Sequence, residues 1–309
     1  MRSRPSFISD AVIARAVATH WLPAVTEVDY LPWGFGAHHW RVNGRGQALF
    51  VTLDQLAPRH TATSLEAAYK GAAALADGGL DTVCAPLAAR SGRFTIDLGA
   101  AGALSVTPWL EGSSPTAAEA RRPAHVRAIT TTLADLHRAV PPDGLPSWAP
   151  RVGPGFAEEL RARVAQPWTS GPLAAKARSA LAARSDAIER WTSRYLELAD
   201  IAHSRRDHWV PTHGEPHSDN QVVGACGLKL VDWESLALAP RERDYADLLA
   251  AGAGAGLDPD PAMVELFALD WRLSEIAEYA RWFAAPHTGT DDDHTALQDL
   301  YEELSDAVG

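Results

Sequence analysis

Residues Pro211 to Val223 read "PTHGEPHSDNQVV". A histidine, a glycine, a carboxylate (Glu215) and an amide (Asn220) crowd into one short loop. A strand-like run, "WVPTH", leads into the loop, and two more, "NQVVGA" and "LKLVDW", follow it as a hairpin turning at Gly227. That hairpin brings Asp232 back beside the loop. Glu215, Asn220 and Asp232 are thereby expected to converge at one end of a small sheet.

Phosphoryl transfer asks for such a set. One carboxylate accepts or orients the proton of the acceptor hydroxyl, and hard oxygen ligands hold the magnesium that bridges the phosphates. Glu215 suits the first task, and Asn220 with Asp232 the second. His213 reads as a histidine bracing the loop against backbone, and Asp219 as a cap for the following turn.

The rest of the chain is consistent with an ordinary folded enzyme. Of 309 residues, 46% are hydrophobic and 22% charged, which suffices for a packed core. No apolar run is long enough to span a membrane, and the N-terminal stretch lacks the apolar centre of a signal peptide. Cys84 and Cys226 form no CxxC pair, so both are expected to be buried, inert thiols in a reducing cytoplasm. The net charge of −11 disfavours nucleic acid and suits a cationic small molecule. Nothing in the sequence chooses between a monomer and a homodimer.

Ahead of the loop, "VTEVDYLPW", "HHWRVNG" and "QALFVTL" alternate as three antiparallel strands with glycine turns, after a helix over Ser9–Leu22. A second helix is expected over Ala62–Gly78, capped by Ser64 or Thr63, and two more strands at "RFTIDL" and "ALSVTPWLEG". Beyond Pro115 the pattern is helical, and the loop's flanks are the only strands expected there. This is an α+β chain: a small lobe over 1–110 with an antiparallel sheet, and a larger, mostly helical lobe over 111–309. Asp291, Asp292 and Asp293 read as a solvated helix start.

The segment "THGEPHSDNQVV…LKLVDWESLALAPRERDYADLL" resembles the core of the aminoglycoside phosphotransferase and choline kinase-like family, whose usual pattern is H-G-D-x-x-x-x-N followed by a hairpin and I-D-W/F. Its tail is similar to the spectinomycin phosphotransferase and actinobacterial antibiotic-kinase branch. The resemblance implies a bilobal protein-kinase-like fold and an O-phosphotransferase using ATP or GTP with Mg2+. It puts Glu215 in the place of the catalytic aspartate, and Asn220 and Asp232 in those of the metal ligands. Gly34 and Gly36 would lie in the turn over the phosphates. Thr107, Trp109 and Glu111 would belong to the hinge that meets the nucleotide base. Glu234, Trp271, Glu275 and Tyr279 are expected to contact the acceptor, the last three sharing one helical face.

Two departures stand out. Glu215 carries one methylene more than the family's aspartate, and Thr52 stands where the family has the phosphate-clamping lysine, whose ion-pair partner would be Glu66. His39 or Arg41, on one face of the second strand, is expected to supply the missing charge, with Lys70 neutralising Glu66. The expected activity is phosphorylation of an antibiotic hydroxyl on an aminoglycoside or aminocyclitol, cyclic peptide or nucleoside, giving resistance. The alternatives are a metabolic kinase for choline, homoserine or a sugar, and a pseudokinase-like binding protein, which Thr52 favours.

Overall fold

The computed structural model describes residues 3–34, 37–57 and 59–305. Helix α1 (Asp10–His20) is followed by three strands, β1 (Val25–Leu31), β2 (Ala37–Gly44) and β3 (Gln47–Asp54). Gly44 faces Gln47 across a two-residue turn in which Arg45 and Gly46 both have positive φ, the geometry that matches strand twist. Helix α2 (Ala62–Asp77) precedes β4 (Thr95–Asp97) and β5 (Ala103–Pro108), and the sheet order is β1-β2-β3-β5-β4. α2 starts at Ala62 as expected, but its cap is Thr61, and Ser64 closes a reciprocal capping box from the third position instead of capping the helix itself.

Alternation gives the sheet two unlike faces. Trp40, Val42, Leu49, Val51, Leu53, Leu104 and Val106 pack with Ile13 and Val17 of α1. His39, Arg41, Phe50, Thr52 and Thr107 lie on the other face. Helices α3 (Ala117–Ala120) and α4 (Pro123–Arg138) follow, then α5 (Phe156–Val164), α6 (Ala174–Ala183) and α7 (Ser185–Ser204).

Next comes β6 (Val210–Thr212), then the hairpin β7 (Gln221–Gly224) and β8 (Gly227–Leu230), and then β9 (Ala237–Ala239). β9 pairs antiparallel with β6 and adds a strand that the sequence did not suggest, because three residues carry too little pattern. Helices α8 (Ala246–Ala250), α9 (Pro261–Ala284) and α10 (Asp291–Glu303) complete the chain.

Two compact units result: Met1–Ser147 with Val210–Leu257, and Trp148–Trp209 with Asp258–Gly309. The core of the first joins Leu65, Tyr69 and Ala72 of α2 to Ile129, Leu133 and Leu136 of α4, with Leu230 and Trp233 beside the hairpin. In the second, Tyr195 donates a hydrogen bond to buried Asp270, which the Trp148 indole also meets.

Three local expectations change. Cys84 is buried, which pushes its thiol up to about 11, but Cys226 sits exposed in the β7–β8 turn. Asp291–Asp293 do start α10, yet Asp292 and Asp293 are buried, and Asp293 accepts from the Trp282 indole at 2.7 Å and the Thr290 amide at 2.7 Å. Glu66 does not pair with Lys70. Its carboxylate accepts from the Phe94 and Thr95 amides, each at 2.9 Å, and from the Thr95 hydroxyl, because unpaired backbone groups next to β4 outcompete an exposed ammonium. No described helix is long and apolar enough to cross a membrane.

Candidate active site

The loop after β6 is held from behind. The Asp244 carboxylate accepts from the His213 amide (3.1 Å), the Gly214 amide (2.6 Å) and His137 Nε2 (2.8 Å). Burial works against its charge, but His137 and the Gly214 amide hold the carboxyl below its ordinary value. Beside it, Arg243 donates to the Thr212 hydroxyl (3.0 Å) and the Ser235 carbonyl (2.9 Å). Gly214 has φ +98, and a Cβ there would sit 2.4 Å from the Arg243 guanidinium, so only glycine fits.

His213 is fully buried. The Glu215 amide donates to its Nδ1 at 3.3 Å, so the ring proton sits on Nε2 and reaches the Val231 carbonyl at 2.8 Å. Burial lowers its pKa and keeps the ring neutral. Glu215 is itself buried, and the Ser235 hydroxyl donates to its Oε1 at 3.2 Å. Asn220 is likewise buried, and its Nδ2 donates to the Glu215 carbonyl at 2.9 Å. The Val231 amide donates to the Asn220 carbonyl at 3.0 Å, which ties the loop to the end of β8. Asp232 follows in a left-handed conformation (φ 64, ψ 67), an uncommon one for a side-chain-bearing residue. The structure therefore brings Glu215, Asn220 and Asp232 together.

It also adds carboxylates that sequence reasoning missed. Asp54, at the end of β3, is buried and takes a 3.4 Å hydrogen bond from Tyr69. Burial, then the charges of Glu234 and Asp232, raise the Asp54 carboxyl well above its usual range. Burial, then Glu234 and Glu215, do the same to Asp232, which Arg59 partly offsets. His60 Nε2 stands 3.6 Å from Glu234 Oε2. The signal for Asp54 is its place on the Thr52 face of a strand whose opposite face is apolar. Crowded carboxylates that repel one another, Asp54 and Glu215 among them buried, are suited to a cation.

Among the described residues, no group of three or more His, Cys, Asp or Glu side chains is set to hold a metal ion. A shared set of one carboxylate, Asp232, and one amide, Asn220, fits magnesium instead, which takes few protein ligands and completes its shell with water and phosphate. The Asn220 Nδ2 bond to the Glu215 carbonyl turns the amide nitrogen toward the loop and leaves the amide oxygen for a cation.

On the sheet, His39 and Thr52 are cross-strand partners and their side chains meet, with Nδ1 and Oγ1 at 3.2 Å. The His39 ring stacks on Phe50 at 5.0 Å, and its Nε2 faces Gly34, which has φ +69. Burial, then neighbouring positive charge, lowers its pKa to about 3, so His39 is neutral. Arg41 lies over the Trp109 ring at 4.5 Å, and Trp33, Phe50 and Trp109 cluster around it. Thr107 faces Phe50 across β3–β5, and Glu111 is exposed. Gly36 lies outside the described residues.

Trp271, Glu275 and Tyr279 belong to the second unit, where each acts within α9 and α10. Trp271 donates to Glu303 at 3.2 Å, and Tyr279 lies 3.5 Å from the Asp299 carboxylate, with Glu275 buried beside it. Of the four residues expected to contact the acceptor, Glu234 shares a unit with Glu215.

Residues 27–282 match the phosphotransferase enzyme family. The chain belongs to it. As a member of the phosphotransferase enzyme family, it is a kinase that moves a phosphoryl group to an alcohol. Protein StrN of Streptomyces griseus is 30% identical over 251 residues, spanning 78% of this chain and 77% of StrN. Two solved structures share the fold. A spectinomycin phosphotransferase in complex with ADP and spectinomycin has a TM-score of 0.74 at 15% identity, covering 97% of this chain and 95% of its own. A microcompartment-associated aminopropanol kinase has a TM-score of 0.66 at 14% identity, covering 96% and 95%. The fold is the mixed protein-kinase-like one of these phosphotransferases.

Proposed function

We propose that this phosphotransferase uses ATP or GTP with Mg2+ to phosphorylate a hydroxyl of a small-molecule antibiotic in the cytoplasm, conferring resistance. The observation that carries the chemistry is the braced Glu215 beside Asn220 and Asp232. The likeness to a spectinomycin phosphotransferase favours an antibiotic acceptor.

The Ser235 hydroxyl and the His213 ring hold Glu215 in place. Its carboxylate accepts the proton of the acceptor hydroxyl as that oxygen bonds to the γ-phosphorus; the bond from phosphorus to the β,γ-bridging oxygen breaks, and the nucleoside diphosphate leaves. Asp232 and Asn220 would hold the magnesium, which would supply positive charge to the transferring phosphate. The turn at Gly34 covers the phosphates, and His39 meets them in the place of the usual lysine. His39 is neutral until phosphate charge draws a proton to it. Arg41, Thr52, Thr107, Trp109 and Glu111 line the nucleotide side. The small lobe over 1–110 binds nucleotide, and the remainder carries the catalytic loop and the acceptor, to which Glu234 contributes in the same unit as Glu215.

The test is incubation with ATP or GTP, Mg2+ and a panel of aminoglycosides, spectinomycin, cyclic peptide and nucleoside antibiotics, with choline, homoserine and a hexose alongside. Mass gain by one phosphoryl group on an antibiotic supports the reading. Gain on choline, homoserine or hexose alone replaces it with a metabolic kinase.

A further inference from the structure

The site face of the five-stranded sheet carries a cluster of rings that the chemistry above uses only as lining. Trp33, Phe50 and Trp109 stand with their ring centroids 6.0 to 6.4 Å apart. Trp33 is 51% exposed, a large ring left in water beside two others. Such a surface suits a flat ligand, because a ring stacks on aromatic faces whatever its edge carries.

Arg41 stands among these rings and gives the surface an edge to read with. On β2 it lies two residues, about 7 Å, past His39, and its cross-strand neighbours on the same face are Asp29 and Phe50. Its guanidinium lies over the Trp109 ring, 4.5 Å from the centroid. Among the described residues Arg41 has no ion pair with Asp29, and its Nε is buried without an acceptor. A buried donor left unpaired is costly, and here it belongs to a full charge. The backbone does not take over the reading at this point. The Trp109 amide, just past β5, already donates to the Ala48 carbonyl at 3.2 Å. A base stacked on the rings therefore meets a side chain that offers donors and no acceptor.

We infer that Arg41 selects the base of the phosphoryl donor and that the donor is a guanine nucleotide. The inference rests on the phosphotransferase reading, which puts the phosphates at His39 and leaves the base to the rings. Guanine presents O6 and N7, two acceptors on one edge, and the arginine fork meets both. Adenine presents N7 next to an amino group that donates, so one of the two bonds is replaced by donor against donor. Trp109 holds one face of the guanidinium, which orders the fork before the base arrives.

The experiment measures binding of GDP, IDP and ADP to the whole chain by calorimetry with Mg2+, before any acceptor is added. GDP is expected to bind about 10- to 100-fold tighter than ADP. IDP keeps O6 and N7 and lacks the 2-amino group, so it should follow GDP. A GDP preference below about threefold overturns the inference. So does IDP as weak as ADP, because the base is then read at its 2-amino group. Arg41→Lys keeps the charge and removes the fork. It should bring GDP down to the affinity of ADP and leave ADP nearly unchanged. Equal weakening of both nucleotides makes Arg41 a phosphate contact and overturns its role in selection. Where Arg41→Lys lowers the melting temperature, the three nucleotides on the unaltered chain decide the matter. Failure of the phosphotransferase reading shows separately: guanine-selective binding with no acceptor phosphorylated keeps Arg41 in its role and removes the kinase. Binding of none of the three nucleotides overturns both.

Discussion

The catalytic loop and the exposed face of the five-stranded sheet stand in the same unit and are built on opposite terms. The loop is cross-braced by charge: Asp244 holds two of its amides, Arg243 ties β6 to Ser235, and His213 locks onto Val231. The sheet face opposite carries no such frame. Its central row is a neutral histidine against a threonine, with aromatic rings stacked alongside. Charge-assisted hydrogen bonds to buried amides fix geometry tightly, whereas stacked rings and a single neutral hydrogen bond tolerate change. The loop holds its carboxylate in a rigid frame, whereas the sheet face carries Thr52 where the family has a lysine, among His39, Arg41 and aromatic rings.

Replacing residues on the two sides separates them. Asp232→Asn is expected to abolish magnesium-dependent turnover with the fold intact, read by coupled nucleoside diphosphate release and circular dichroism; retained activity removes Asp232 from the site. Glu215→Gln should lower kcat by about 10²–10⁴-fold and leave nucleotide affinity nearly unchanged. Near-normal kcat would show that the loop merely positions substrates. Asp244→Ala strips two amides and His137 of their partner and should cost about 3–5 kcal/mol in denaturant unfolding. A cost below about 1 kcal/mol would mean that the brace is dispensable.

On the sheet the effects are smaller. His39→Ala should weaken Mg-nucleotide binding about tenfold by calorimetry, and Lys70→Ala should not change it. The reverse result would move the phosphate contact to α2. His39 also has a pH signature. Its folded pKa, about 3, lies below the unfolded 6.5, so the unfolded chain takes up the proton first. The stability it contributes is present above about pH 6.5 and is lost as pH falls toward 3. His39→Gln should therefore flatten the fall in melting temperature over that window, and an unchanged slope would show that His39 is protonated in the folded protein.

Much of this arrangement was legible before any fold was known. Period-two alternation marked β1–β3, helical spacing marked α4 and α9, and the spacing of Glu215, Asn220 and Asp232 around a hairpin marked the loop. What misled were the positions whose meaning depends on a distant partner. Glu66 looked like one half of an ion pair along its own helix, and its carboxylate went instead to backbone amides 28 and 29 residues away. In the "PRERD" segment, read only for its resemblance to an antibiotic-kinase branch, Arg243 and Asp244 brace the loop, a role no local pattern announces.

The sequence alone determined which residues could do the chemistry, because a carboxylate, an amide and a second carboxylate at those spacings on a loop and hairpin leave few other uses, and because local periodicity dictates which face each strand shows. The tertiary structure alone decided which polar groups meet. Asp54 joined Asp232 and Glu234, and Asp244 capped the catalytic loop. The reason is that burial makes every unpaired polar atom expensive, and which donors lie within reach of a buried carboxylate is set by chain segments far apart in sequence that no local pattern brings together.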